Sequence, residues 1–272
     1  MKANRIESGG RGKTVLAIVV SALVLAAIVG IALAYERLSE MCREQCIVTD
    51  MSAQVEIRSG SMVKPDVIAE NLGIRKGANL AEIDFVQKRA EILEKIPTLR
   101  SISISRRLPD GVTIVAEERI PVARMSVKGR RSATGRVVDS EGMVFMRQRG
   151  TQLLPTIVEP QPPGTQPGHR IKGRTLAALR LVETCRKPEF AELGVQDVDV
   201  SRPDFLMATL GDYSRLKIAW DGMDEPSSKS LQDLEGRLTL LVKTIRSGVG
   251  TGAKTWNATL PECIFADTQE NR

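Results

Sequence analysis

The sequence predicts an α+β protein: a single N-terminal membrane helix, then two mixed blocks of strands and helices. Three observations predict it. Residues 14–35, TVLAIVVSALVLAAIVGIALAY, are uncharged and almost wholly apolar, and about 20 such residues span a bilayer core. Residues 53–123 switch between the strand period and the helix period in the order β-α-α-β-β. Residues 124–272 continue the mixture with more short alternating segments and two amphipathic helices.

The apolar run sets the topology. Lys2, Arg5, Arg11 and Lys13 precede it against Glu7, while Glu36, Arg37, Glu40, Arg43 and Glu44 nearly balance after it. Positive residues stay on the cytoplasmic side. Residues 1–13 therefore read as a cytoplasmic basic tail and 14–35 as the transmembrane helix. Residues 36–52 read as a juxtamembrane linker, and everything beyond as extracytoplasmic. Ala32-Leu33-Ala34 has the small-x-small form of a signal-peptidase site. A signal peptide, however, has an apolar core of about 7–15 residues, so a retained anchor is the better reading.

Charge and composition disfavour a nucleic-acid partner, and none is expected. The tail alone carries +3 of the formal +6, so the rest of the chain is nearly balanced. Aromatic residues are 3%, too few for base-stacking platforms. Residues 9–14, GGRGKT, fail as a phosphate-binding loop, because Glu7 stands where the first glycine belongs.

The cysteines are Cys42, Cys46, Cys185 and Cys263, all beyond the anchor, where oxidation is possible. Cys42 and Cys46 share a face if the helix runs on; they are either free thiols or an interchain bridge. A Cys185–Cys263 bridge would tie the end of the chain to its second block, contributing about 2–4 kcal/mol. With one histidine, His169, in a Pro- and Gly-rich loop, no metal site is expected. No nucleophile, base and orienting group stand together, so the reading is no enzyme and no cofactor. A hydrolase using scattered carboxylates is the alternative from a different functional class.

In the first block, 54–58 alternates as a strand. Pro65 opens a helix bearing Val67, Ile68 and Leu72 and ending at Gly73. A second helix is expected from Asn79, capped by its side chain with Glu82 three residues on. Ile83, Val86, Ala90 and Leu93 form its inner face and Pro97 its end. Residues 101–105 alternate strictly, Leu108-Pro109-Asp110-Gly111 turns, and Val112, Ile114 and Ala116 make the next strand.

In the second block, Arg136-Val137-Val138 and Met143-Val144-Phe145 read as a hairpin around Asp139 and Gly142. Lys128, Arg130, Arg131 and Arg136 make a basic cluster, a solvated loop or a lipid-headgroup contact. Residues 159–168 read as a loop and 174–187 as a helix with Leu176, Leu179, Val182 and Cys185 inward. Residues 195–200, 205–210 and 215–220 read as three strands. Residues 226–247 form a longer helix with Leu231, Leu234, Leu238, Leu241 and Ile245 in a stripe, most simply packed on its own sheet. Residues 255–260 and 263–265 close as a hairpin around Pro261-Glu262. Asn257-Ala258-Thr259 matches a glycosylation acceptor, a pattern that recurs by chance.

The chain resembles a known family. β-α-α-β-β behind one anchor is the POTRA pattern, and the wording is similar to the bacterial division protein family FtsQ/DivIB. The matching pieces are Gly77-Ala78-Asn79-Leu80 before Ile83-Asp84; Ile96-Pro97 before Leu99; Arg106-Arg107-Leu108-Pro109-Asp110; Glu118-Arg119-Ile120-Pro121-Val122-Ala123; and Val138-Asp139-Ser140-Glu141-Gly142-Met143-Val144-Phe145. Turn chemistry explains each piece alone, and Arg119 reads as a brace at the joint; their joint order carries the likeness. It covers residues 53–155 and is only topological beyond.

The resemblance implies a POTRA domain over 53–123 and a mixed β domain over 124–272. It also implies a bitopic inner-membrane scaffold at the division septum. Its partners would be small bitopic coiled-coil proteins of the FtsB and FtsL type and other divisome components. The runner-up in the same class is a membrane-anchored POTRA receptor or chaperone for envelope proteins. The family places partner binding at the end of the β domain. Here that end offers Trp256, Ala258 and Leu260 in alternation, then Pro261, Glu262, Cys263, Ile264 and Phe265. No Lys or Arg guards it, as edge strands usually require, so an added partner strand is expected there.

Overall fold

The computed structural model describes residues 10–107, 111–129, 135–147, 149–161, 165–225 and 227–267, and not the side chains of 10–18, 39, 42–45 and 53. Several expectations lie outside the described residues: the tail up to Gly9, the Leu108-Pro109-Asp110 turn, Arg130 and Arg131, Pro226, and the thiol of Cys42.

Two compact units divide the chain. The first is drawn from Met1–Arg58, Pro65–Lys88 and Ser103–Val115. It opens with α1 (Gly10–Gln45). Within α1, Val19–Leu38 is long and apolar enough to cross a membrane, and Leu23, Leu25, Ile31 and Leu33 are exposed. The helix does not stop at residue 35; the first ten residues of the expected linker continue it. The linker then bonds along the turn at 77–80: the Leu80 N–H donates to the Cys46 carbonyl, the Val48 N–H to Ala78 and the Gly77 N–H to Val48. Val48 is fully buried. Gly77 sits at φ +84, a backbone state that only glycine enters freely.

α2 (Met51–Gln54) is one turn, capped by the Asp50 side chain. It takes up Gln54, which the alternating pattern assigned to the next strand. β1 (Val55–Arg58) runs parallel to residues 112–115, with Val55 opposite Val112. α3 (Pro65–Asn71) buries Ile68 and Ala69, and Gly73 at φ +75 ends it as expected.

α4 corrects two expectations. It spans Phe85–Lys95, not from Asn79. The cap is Asp84, whose carboxylate accepts from the Val86 and Gln87 N–H groups. The Asn79 side chain accepts from Ala81 and closes a turn instead. The inner residue is Ile92, fully buried, whereas Val86 is 82% exposed. β2 (Leu99–Arg107) and β3 (Gly111–Glu118) complete a three-stranded sheet ordered β1-β3-β2. Val112, Ile114 and Ala116 are buried, as the alternation requires.

The second unit is drawn from Ser59–Lys64, Arg89–Ile102 and Ala116–Arg272. Its sheet begins with β4 (Pro121–Val127), a strand not anticipated, which starts ahead of residue 124. β5 (Arg136–Asp139) and β6 (Val144–Met146) form the expected hairpin. β7 (Thr156–Glu159) takes in Glu159, the first residue of the expected 159–168 loop. α5 (Gly173–Cys185) buries Leu179, Val182 and Cys185. β8 (Asp197–Asp199), β9 (Leu206–Thr209) and β10 (Arg215–Ile218) are the three strands read from alternation. α6 (Ser228–Arg246) is capped by Ser227 and buries Leu234, Leu238 and Leu241. β11 (Thr255–Ala258) and β12 (Phe265–Asp267) end the described chain.

Among the described residues, nine strands run in the order β12-β11-β10-β9-β8-β7-β4-β5-β6. β7 and β8 are parallel, as are β10 and β11. Parallel neighbours need a long crossover, and α5 and α6 supply one each. Both helices share a core with inward residues of the sheet, among them Met125, Ile157, Val198, Leu206, Leu216 and Trp256. The leucine stripe of α6 is therefore spent on the protein's own core.

Candidate functional site: the terminal edge of the large sheet

The two ends of the nine-stranded sheet differ. At the β6 end, the Val144 N–H donates to the His169 carbonyl, the Gly168 N–H to Val144 and the Ile171 N–H to Gly142. Residues 168–171 thus cover that edge, and this is the role of the loop bearing His169, itself exposed. At the other end, β12 stands last in the order among the described residues. An uncovered edge presents backbone donors and acceptors to another chain.

β12 pairs antiparallel with β11, Trp256 opposite Ala266 and Asn257 opposite Phe265. This register shifts the expected hairpin. Cys263 and Ile264 lie in the connecting loop, 259–264, and the strand starts at Phe265. β11 is an interior strand, paired with β10 on its other side.

The candidate residues divide accordingly. Trp256 and Ala258 face the core, at 5% and 0% exposure, and have no surface to give a partner. Leu260 and Phe265 are half exposed. Pro261, Glu262 and Cys263 are exposed and Ile264 is half-buried. An edge formed by β12 with Leu260 and Phe265 beside it is what the structure assembles. The Asn257 side chain accepts from the Thr259 N–H and hydroxyl within its own turn.

A residue not singled out from sequence holds this end in place. Arg237 on α6 is 5% exposed. Its Nε donates to Asp233, and its Nη1 donates to the carbonyls of Ala258 and Thr259, 2.8 Å for the latter. It anchors the start of the 259–264 loop. The i, i+4 pair Asp233/Arg237 was the available signal.

Cys185 and Cys263 are free thiols, the first buried and the second exposed; the proposed bridge between them is absent. Burial pushes the Cys185 thiol up to about 12, which makes it a poor nucleophile. Among the described residues, no three His, Cys, Asp or Glu side chains gather as a metal site.

Among the described residues, two buried ion pairs support the second unit. Arg119 bonds Asp139 at 2.6 Å. Arg136 bonds Glu159 at 3.2 Å and donates to the Thr165 carbonyl. Of the expected basic cluster, Arg136 is therefore buried structure, and Lys128 pairs with Asp199. Desolvation raises the Glu159 carboxyl above its ordinary range, against the pull of Arg136. A hydrogen bond from Arg100, with Arg119 and Arg170 nearby, holds the Glu141 carboxyl low.

Comparison with known proteins bears on these elements. Residues 52–119 match the family model of the POTRA domain, FtsQ-type. The chain is similar to the cell division protein FtsQ of Corynebacterium glutamicum, 28% identical over 131 residues, which are 48% of this chain and 52% of that protein. The match spans about half the length of that curated relative.

Proposed function

We propose that this chain, a protein of the FtsQ/DivIB division family by its FtsQ-type POTRA domain and its similarity to FtsQ, is a non-enzymatic scaffold of the division machinery. It sits in the cell inner membrane on one helix, with the N-terminus cytoplasmic and the remainder extracytoplasmic, and it collects at the septum. Residues 53–123 serve as the POTRA domain and 124–272 as the β domain. The partners are small bitopic proteins of the FtsB and FtsL type, and the contact is a strand added to β12.

The observation that carries the reading is the asymmetry of the large sheet. One edge is covered by residues 168–171, while β12 stands at the other. Strand addition draws affinity from the backbone ladder and specificity from alternate side chains. Phe265 is exposed to supply such a contact. The buried positions around it, Trp256 and Ala258, keep β11 in the sheet so that β12 is presented.

A fluorescent fusion at Met1 of the full chain tests the reading. Septal accumulation, with co-purification of an FtsB-type protein from the same membranes, is the expected result. A uniform envelope signal with no such co-purification contradicts it.

A further inference from the structure

We infer that the glycine-rich turn between α6 and β11 is a binding site for a phosphate group. The sequence there is Ser247-Gly248-Val249-Gly250-Thr251-Gly252-Ala253. Gly248, Gly250 and Gly252 have φ of +76, +75 and +82. Val249 and Thr251 keep negative φ, since Tyr213 is the one non-glycine residue with positive φ among the described residues. The backbone therefore alternates in hand over five residues. Alternation of this kind turns successive N–H groups toward one concavity, an anion-binding nest.

The donors are available. Among the described residues, the Gly248 N–H is taken by Ile245 and the Ala253 N–H by Gly250. The four N–H groups between them, at Val249, Gly250, Thr251 and Gly252, donate to no protein acceptor. Four consecutive donors without a protein acceptor suit the several oxygens of a phosphate better than a single carbonyl.

The surroundings carry the matching charge. The turn lines a cleft of about 980 Å³ whose walls include Arg202, Arg215, Lys217 and Lys254 against Asp212 and Asp267. Asp212 is occupied by the Ser214 N–H and hydroxyl. Cations lining the same cleft as a set of backbone donors favour an anion by field as well as by hydrogen bonds.

The turn is held in this form. A Cβ on Gly250 would lie 2.5 Å from the Ala266 Cβ and 2.9 Å from the Trp256 ring. Glycine is thus required at 250 both for its φ and for space, and Trp256 is placed to report on the turn. This site does not rest on the division reading.

The test is tryptophan fluorescence of the full chain in detergent micelles, titrated with inorganic phosphate, with glycerol phosphate and with sodium chloride at matched ionic strength. Saturable change with both phosphates, absent with chloride, is expected and means that the phosphate group alone is read. Saturation with glycerol phosphate alone supports the site and assigns it to a lipid headgroup. Arg215→Gln, at an exposed strand position, and Gly252→Ala, whose Cβ meets no atom within 4 Å, should each weaken binding by about tenfold, the scale of one charge-assisted contact. A response equal to that of chloride overturns the proposal. So does unchanged affinity in both variants.

Discussion

Arg119 and Asp139 meet at 2.6 Å with both side chains nearly buried. The Arg119 Nε also donates to the Pro97 carbonyl, and its backbone N–H to Thr98. The second Asp139 oxygen accepts from the Glu141 and Met143 N–H groups. One arginine thus ties residues 97–98 to the β5–β6 turn. Replacing Arg119 with Leu leaves Asp139 buried without its cation, and loss of one partner of a buried pair costs about 3–5 kcal/mol. Thermal unfolding of the full chain in detergent should show a lower Tm for Arg119→Leu, whereas Arg100→Leu, at an exposed pair, should cost less than about 1 kcal/mol.

The Arg136–Glu159 pair predicts a pH effect. The Glu159 carboxyl is raised by desolvation and pulled down by Arg136. A raised folded value means that the folded state binds more protons than the unfolded chain above the ordinary carboxylate range. Stability then falls as pH rises through that window. Arg136→Leu removes the restraint and leaves a buried carboxylate. The variant should be strongly destabilised at pH 7.5 and should recover part of the loss at pH 5.5, relative to wild type. Equal destabilisation at both values contradicts this account.

Gly60 and Glu118 are coupled. The Glu118 carboxylate accepts from the Met62 and Val63 N–H groups at 2.7 and 2.8 Å. A Cβ on Gly60 would fall 2.3 Å from that carboxylate. Gly60→Ala must displace it and sacrifice charge-assisted bonds worth about 1.5–3 kcal/mol each. Urea unfolding should show a lower midpoint for Gly60→Ala, and Glu118→Ala should be no more stable than that variant.

The thiols should differ in reactivity. Alkylation of the native chain at pH 8 should modify Cys263, which is exposed, and spare Cys185, whose thiol is buried and raised to about 12. Recovery of a Cys185–Cys263 peptide under non-reducing conditions would contradict the structure.

Much of the fold was legible because its signals are local. Gly73, Pro97, and the alternation of Val112, Ile114 and Ala116 each fix a boundary or a face by short-range sterics. The errors arose where two local signals competed. Asn79 and Asp84 can both cap, and the backbone N–H groups of Val86 and Gln87 settle it for Asp84. β4 alternates over Ala123, Met125 and Val127 but opens on Pro121 at the joint of the two blocks, and β7 has only four residues, between Pro155 and Pro160, too few for alternation to mark. At the candidate site, period 2 grouped Trp256 and Ala258 with Leu260. Pairing with β10 and β12 makes β11 interior, and pairing partners are long-range facts that alternation does not carry. Ala258 thus lies on an interior strand and Ile264 lies outside the ladder.

The central claim is that β12 is the docking edge. The direct measurement places a photo-crosslinking amino acid at Phe265 on β12, and in a second variant at Met146 on β6, in the full-length protein in its own membranes. Both side chains are about half exposed, at 53% and 43%, so each variant should fold. A light-dependent crosslink to a small FtsB-type membrane protein from position 265 and none from 146 is the predicted result. A crosslink from 146, or from neither position while the partner still co-purifies, contradicts it.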